Sequence, residues 1–252
     1  MHLRLTILFV IGAAAISLAA ETQDQKTPTL DELVTKNIEA KGGAEALRAL
    51  QSLKMTGRLI VNEGQLQLAY SETKKRPDEV RSEITLQGMT AVEAYDGKEG
   101  WKISPFQGRK DPEKMSADDI KPLMEDAEID GPLVDWKAKG STLEYIGRED
   151  VDGTSAYKIK LVRKNGDVSF VYLDPDHFLE IRILTQRIRH GAQEEVETDV
   201  GDYEKIGGVF IPFSIEDGRK GDPDKQKTVI EKAEANVSVD DAIFRFPTAA
   251  SK

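Results

Sequence analysis

The chain has 252 residues, no cysteine and a formal net charge of −10. Without cysteine there are no disulfides, no thiol catalysis and no thiolate zinc site. An acidic balance with no long basic block argues against nucleic acid or an anionic membrane surface as a partner.

Residues 1–20 open with His2 and Arg4, run through an apolar block and end in Ser17-Leu18-Ala19-Ala20, before the acidic Glu21-Thr22-Gln23-Asp24. That order predicts a secretory signal peptide cleaved near Ala20 and a periplasmic protein. The block is short for a membrane span, which needs about 20 residues. The mature chain, 21–252, is expected to be a single soluble domain with no membrane segment. Thr29-Leu30-Asp31-Glu32 fits a capping box, and Leu30, Leu33, Val34 and Ile38 follow at helical spacing up to Gly42-Gly43. A second short helix is predicted from Ala44 to Leu50.

After Leu50 the period becomes two. Leu53, Met55, Gly57, Leu59 and Val61 alternate with polar residues. The same holds for Leu66, Leu68 and Tyr70, and for Val80, Ser82, Ile84 and Leu86. Met89–Tyr95 and Trp101–Ser104 complete a five-stranded meander. The stretch from about 107 to 139 shows no strand alternation. Ser116 and Asp119 form a capping signal, and Ile120, Leu123, Met124 and Ala127 follow at helical spacing. Gly131-Pro132 breaks this helix, and Leu133, Val134 and Trp136 suggest another. Strands are predicted again at 141–148, 155–163, 167–173, 178–188, 194–204, 208–216 and 226–235, with Asn165-Gly166 the strongest hairpin signal. About twelve sequential strands must curl. The predicted fold is mainly β: a large curved antiparallel sheet, an unclosed half-barrel. It has an N-terminal helix and a helical lid, about 110–139, inserted between strands.

The apolar residues of these strands and of the lid are either core or the lining of a cavity. If cavity, Leu59, Leu68, Tyr70, Ile84, Leu86, Trp101, Leu123, Met124, Trp136 and Tyr172 are the candidate ligand-binding residues. Burying ten methylenes of an acyl chain is worth roughly 8 kcal/mol before ordering costs, enough for micromolar capture. Asp174-Pro175-Asp176-His177 reads as a turn rather than a metal cluster. No nucleophile elbow and no phosphate loop occurs in the sequence. No catalytic residue, metal or cofactor is expected, and the chain is not read as an enzyme.

Several segments, in order, resemble the LolA/LolB type of periplasmic lipoprotein carrier, in the broader group of outer-membrane lipoprotein-sorting proteins. They are Ile38-Glu39-Ala40-Lys41-Gly42-Gly43, Leu53–Gly57, Lys75-Arg76-Pro77 and Asp96-Gly97-Lys98-Glu99-Gly100-Trp101 with Ser104-Pro105-Phe106. Tyr203–Pro212 and Asp241–Pro247 complete the set. The resemblance implies a lidded half-barrel with an apolar cavity for acyl chains of a lipoprotein or lipid, carried towards the outer membrane. It implies an inner-membrane donor and an outer-membrane acceptor as partners of a monomer. It also makes Arg76 the residue that controls the lid. Extra length around 174–225 departs from the family pattern. An envelope sensor on the same fold, which binds lipid or lipoprotein and signals to a partner protein, is the alternative.

Overall fold

A computed structural model describes residues 27–247. The expected signal peptide lies outside the described residues. Thr29 caps α1 (Leu30–Ala40) through the reciprocal bonds of a capping box with Glu32. Gly42-Gly43 ends α1, and α2 (Ala44–Ala49) follows.

The first meander comprises β1 (Ser52–Val61), β2 (Leu66–Lys75), β3 (Glu79–Leu86), β4 (Met89–Asp96), β5 (Gly100–Ser104) and β6 (Arg109–Lys114). After α3 (Lys121–Asp126) the second comprises β7 (Thr142–Val151), β8 (Thr154–Val162), β9 (Val168–Leu173), β10 (Glu180–Arg189), β11 (Ala192–Ile206), β12 (Val209–Arg219) and β13 (Gln226–Ala235). Four hairpins turn on two residues that both have positive φ: Gln87-Gly88, Asp152-Gly153, His190-Gly191 and Gly207-Gly208. This is the turn geometry whose twist suits a hairpin.

All thirteen strands form one antiparallel sheet in the order β6-β5-β4-β3-β2-β1-β13-β12-β11-β10-β9-β8-β7. No ladder joins β6 to β7, so the sheet is unclosed. β1 pairs with β13 and thereby joins the two meanders.

Two sequence expectations are corrected. The stretch 107–139 opens with β6, so the first residues of the expected lid are strand. Arg109-Lys110-Asp111-Pro112-Glu113-Lys114 is almost wholly exposed on both faces, and an edge strand of that kind has no need of alternation. Its charges and proline also protect the edge from pairing with another chain. The helix expected at 133–136 is instead a run of turns, with Asp135 at φ 48°.

The concave face is covered at one end. Leu47 of α2 and Leu50 just after it pack with Leu53, Met55, Val209, Ile211, Phe213 and Ile230. Leu33 of α1 and Leu133 pack against Ile159, Leu161, Val171 and Leu173. The end of α1 meets the β11–β12 turn closely. A Cβ at Gly42 would lie 2.2 Å from the Gly208 carbonyl oxygen, and Phe210 N donates to Lys41 O at 3.0 Å. The end of α1 therefore touches the Gly207-Gly208 turn, and at Gly42 only glycine permits it.

Candidate functional site

Helices and turns fill one end of the concave face, and a cavity of about 570 Å³ remains at the other, beneath α3. In strands, alternate residues share a face, so cross-strand pairs define the floor. Gly57 pairs with Tyr70, Tyr70 with Ile84, Ser82 with Glu93 and Glu93 with Lys102. On the other side Leu59 pairs with Thr228, Thr228 with Ile215, and Asp217 with Thr198. Leu59, Tyr70, Ile84 and Ile215 form the apolar part of this floor, and Val196 lies apart, opposite Arg219.

The remaining wall is charged. Among the lining residues seven carboxylates face five cations. Arg187 is 7 % exposed and binds Glu125 at 3.0 Å and Glu194 at 2.9 Å. Glu72, 6 % exposed, accepts from Tyr70 Oη at 2.9 Å and Ser82 Oγ at 3.1 Å, and pairs with Lys74 at 3.0 Å. An apolar cavity was expected, and this lining corrects that. A hydrocarbon filling the whole space would strip these charges of water without replacing it.

Burial tends to lower the Lys74 pKa, but Glu72 and Asp126 outweigh it and the net shift is upward. Burial, then the Glu72 charge, pushes the Tyr70 phenol well up. Burial also raises Glu93, Glu125 and Asp217. Asp126 is exposed to the cavity space, with protein close around its carboxyl on the other sides. Desolvation by the nearby protein raises its carboxyl from 3.8 to about 7; Lys74 opposes the shift, and Glu72, Glu125 and Asp217 reinforce it.

The sign of the pH effect follows. A raised carboxylate is protonated in the native state while the unfolded chain has already ionised. Its contribution to stability is present below 3.8 and is lost as pH rises towards about 7. Asp126→Asn is therefore expected to gain on wild type across that window and to hold a constant advantage above it. Urea unfolding midpoints measured from acid to mildly alkaline pH check this; a gap independent of pH would refute it.

The residues predicted from sequence fall into four groups. Leu59, Tyr70 and Ile84 line the cavity. Leu68, which pairs with Leu59, and Leu86 share that face towards its rim, outside the cavity lining. Leu123 is buried against Val80, Tyr95 and Ala127, Met124 is 42 % exposed, and Trp136 is half-buried under the Lys137 ammonium. Trp101 and Tyr172 lie on the opposite, convex face. Trp101 packs with Val92, Ala94 and Phe246 and donates to Phe244 O at 2.8 Å. Tyr172 packs with Val151, Ala156 and Leu184, and its hydroxyl reaches Glu149. Both are thereby removed from the set of cavity residues.

The charged residues escaped the sequence reading. Their signal was legible on β2, where Glu72 and Lys74 continue at period two from Leu68 and Tyr70. Arg76 reaches the carbonyls of Leu50 at 2.9 Å and Leu47 at 3.0 Å, and Asp130 at 2.8 Å. At the proposed turn, Asp174 Oδ1 accepts from the backbone N–H groups of Asp176 and His177. Among the described residues no group of three or more His, Cys, Asp or Glu is placed to hold a metal, and no helix is long and apolar enough to cross a membrane.

No protein-family model matches the sequence, and no curated protein matches it. Solved structures do. A DUF1329 family protein from Desulfovibrio piger superposes with a TM-score of 0.58 at 14 % identity, covering 87 % of this chain and 98 % of that one. A LolA superfamily protein from Nitrosomonas europaea gives 0.56 at 12 % identity, with the same coverage of 87 % and 98 %. The fold is LolA-like. A putative outer membrane lipoprotein-sorting protein domain from Vibrio parahaemolyticus agrees, at 0.55 and 13 % identity over 84 % of this chain and 97 % of that one. On this LolA-like scaffold the cavity lies where the sheet is left uncovered by α1 and α2.

Proposed function

We propose that the protein is a soluble, non-catalytic carrier of the periplasm that binds an acylated lipoprotein or lipid and moves it towards the outer membrane. The observation that carries this reading is the unfilled cavity of about 570 Å³ on the concave face of an unclosed sheet. Its size is typical of sites for organic ligands. The similarity to a structure described as a putative outer membrane lipoprotein-sorting domain supports the same reading. Acyl chain lies along Leu59, Tyr70, Ile84 and Ile215. The charged wall of Arg187, Glu125 and Glu194 meets the polar part of the same molecule, so the cargo is an amphiphile and not a bare hydrocarbon.

Native mass spectrometry of protein purified from its own envelope tests the reading directly. A co-purifying lipid or acylated polypeptide is expected; an empty protein that turns over a substrate would overturn it. In parallel, Ile84→Glu places a carboxylate against the acyl strip. It should weaken binding of a fluorescent fatty acid by about tenfold or more, which is about 1.4 kcal/mol. Ile188→Glu, at a side chain 63 % exposed and outside the cavity lining, should leave binding unchanged. Unaltered affinity in a folded Ile84→Glu variant would remove this strip from the site.

A further inference from the structure

The segment from Met115 to Ala127 crosses the concave face, and its two flanks differ in kind. Towards β3 and β4 the contact is apolar: Met115, Ile120, Leu123 and Ala127 pack with Val80 and Tyr95. The approach is close enough that a Cβ at Gly100 would lie 2.4 Å from Ile120 Cγ2. Towards β10 and β11 the contact is ionic and polar. Asp119 meets Arg189 at 3.2 Å and His190 Nε2 at 2.9 Å. Asp118 accepts from the His190 backbone N–H at 2.9 Å, and Lys121 Nζ donates to Ile188 O at 2.6 Å. Glu125 meets Arg187 at 3.0 Å. Among the described residues no apolar cluster joins residues 115–127 to β10 or β11.

We propose that this segment is a leaf hinged on β3–β4 by packing and fastened to β10–β11 by charge, so that the cavity opens along the β10–β11 seam and the fastening loosens with ionic strength. The two flanks respond oppositely to salt. Apolar burial is not weakened by added salt and is strengthened by some salts. Ion pairs with access to solvent, here Asp119 with Arg189 and His190, are screened, the Debye length falling from about 30 Å at 0.01 M to about 3 Å at 1 M, while the more buried Glu125–Arg187 pair is screened less. Salt therefore frees one flank and holds the other, which fixes the direction of opening. Motion of this kind leaves Arg187, Arg189 and Glu194 facing the gap through which cargo passes. Residues 128–134 stay behind as the anchor: Glu128 is bound to Arg163, and Ile129, Leu133 and Val134 are buried in the main cores.

Hydrogen exchange on the ligand-free wild-type protein tests the leaf without reference to any cargo. Raising sodium chloride from about 0.02 M to about 0.5 M should speed exchange at 116–126 several-fold while leaving β3 and β4 unchanged. The double variant Asp119→Asn/Glu125→Gln should show the fast rates already at low salt and lose most of the salt response. Leu123→Ala, on the hinge side, should exchange faster at both salt concentrations with its salt response intact. Rates at 116–126 that ignore salt in wild type would overturn the proposal, as would a full salt response surviving in the double variant. If the double variant does not fold, the wild-type salt series decides alone. Either failure leaves the cargo assignment standing, because no ligand enters the measurement.

Discussion

Phe244→Ala is expected to lower the unfolding free energy by about 3–5 kcal/mol, the usual cost of emptying a buried phenylalanine site. Phe244 is fully buried although it lies only a few residues from the end of the described chain. The segment around it straps the convex face. Ser52 Oγ donates to Val237 O at 2.7 Å, Lys75 Nζ to Val239 O at 3.1 Å, and Arg81 to Ile243 O at 2.9 Å. Trp101 donates to the Phe244 carbonyl, and its ring meets that of Phe246 edge-on at 6.5 Å. Emptying the site should therefore wet Trp101, and its emission should move to the red as stability falls in urea titrations. The same geometry sets a companion result. In a Trp136→Phe background Trp101 is the only tryptophan, and the sheet separates it from the cavity. Its spectrum should stay fixed on addition of fatty acid; a shift would return Trp101 to the cavity side.

Arg76→Leu is expected to cost about 3 kcal/mol, through loss of three charge-assisted hydrogen bonds. Two go to the last carbonyls around α2, where a helix lacks internal partners, and the third goes to Asp130, which is 4 % exposed. Lys139, 2.9 Å from the other Asp130 oxygen, keeps that carboxylate from being stranded altogether. Burial alone would raise the Asp130 pKa; Lys139 and Arg76 together reverse this and hold it below its ordinary value of 3.8. A lowered carboxylate stabilises the fold above its unfolded pKa, and that stability is lost as pH falls through the folded pKa. Wild type should thus weaken below about pH 4, and the variant should show a smaller acid response. Arg76→Lys should recover only part of the loss, because one ammonium cannot reproduce the planar fork that spans Leu47, Leu50 and Asp130. Urea midpoints for the three proteins across acidic pH decide the matter; equal stabilities would reduce Arg76 to a surface charge.

The strands were legible because period two survives wherever one face is wetter than the other. β6 was not, since an edge strand with both faces in water carries no alternation. Alternation also tells which residues share a face but not which face is concave. Here both faces are covered in places: the concave one by α1, α2 and the crossing segment, the convex one by the strap at Phe244 and by the cluster around Leu184. Apolar character therefore failed to mark the inside, and Trp101 and Tyr172 went to the wrong face. The charged wall was missed for the opposite reason. Glu72, Lys74 and Arg187 look like solvated surface in a sequence, and only cross-strand pairing shows that they line the same cavity as Leu59 and Ile84.

The β1–β13 ladder bears on how the chain can be assembled. Every other pairing is between consecutive strands, so each arm can form from local hairpins. The last strand made is not an edge; it lies between β1 and β12, at the middle of the sheet. Synthesis or translocation halted before Gln226 thus leaves two arms with no ladder between them, and the loop to be closed spans nearly the whole domain. Truncation at the C-terminus would cut the sheet through its centre, where loss of a peripheral strand would merely trim it. A chain wired in this way reaches its native state only after its last strand has emerged.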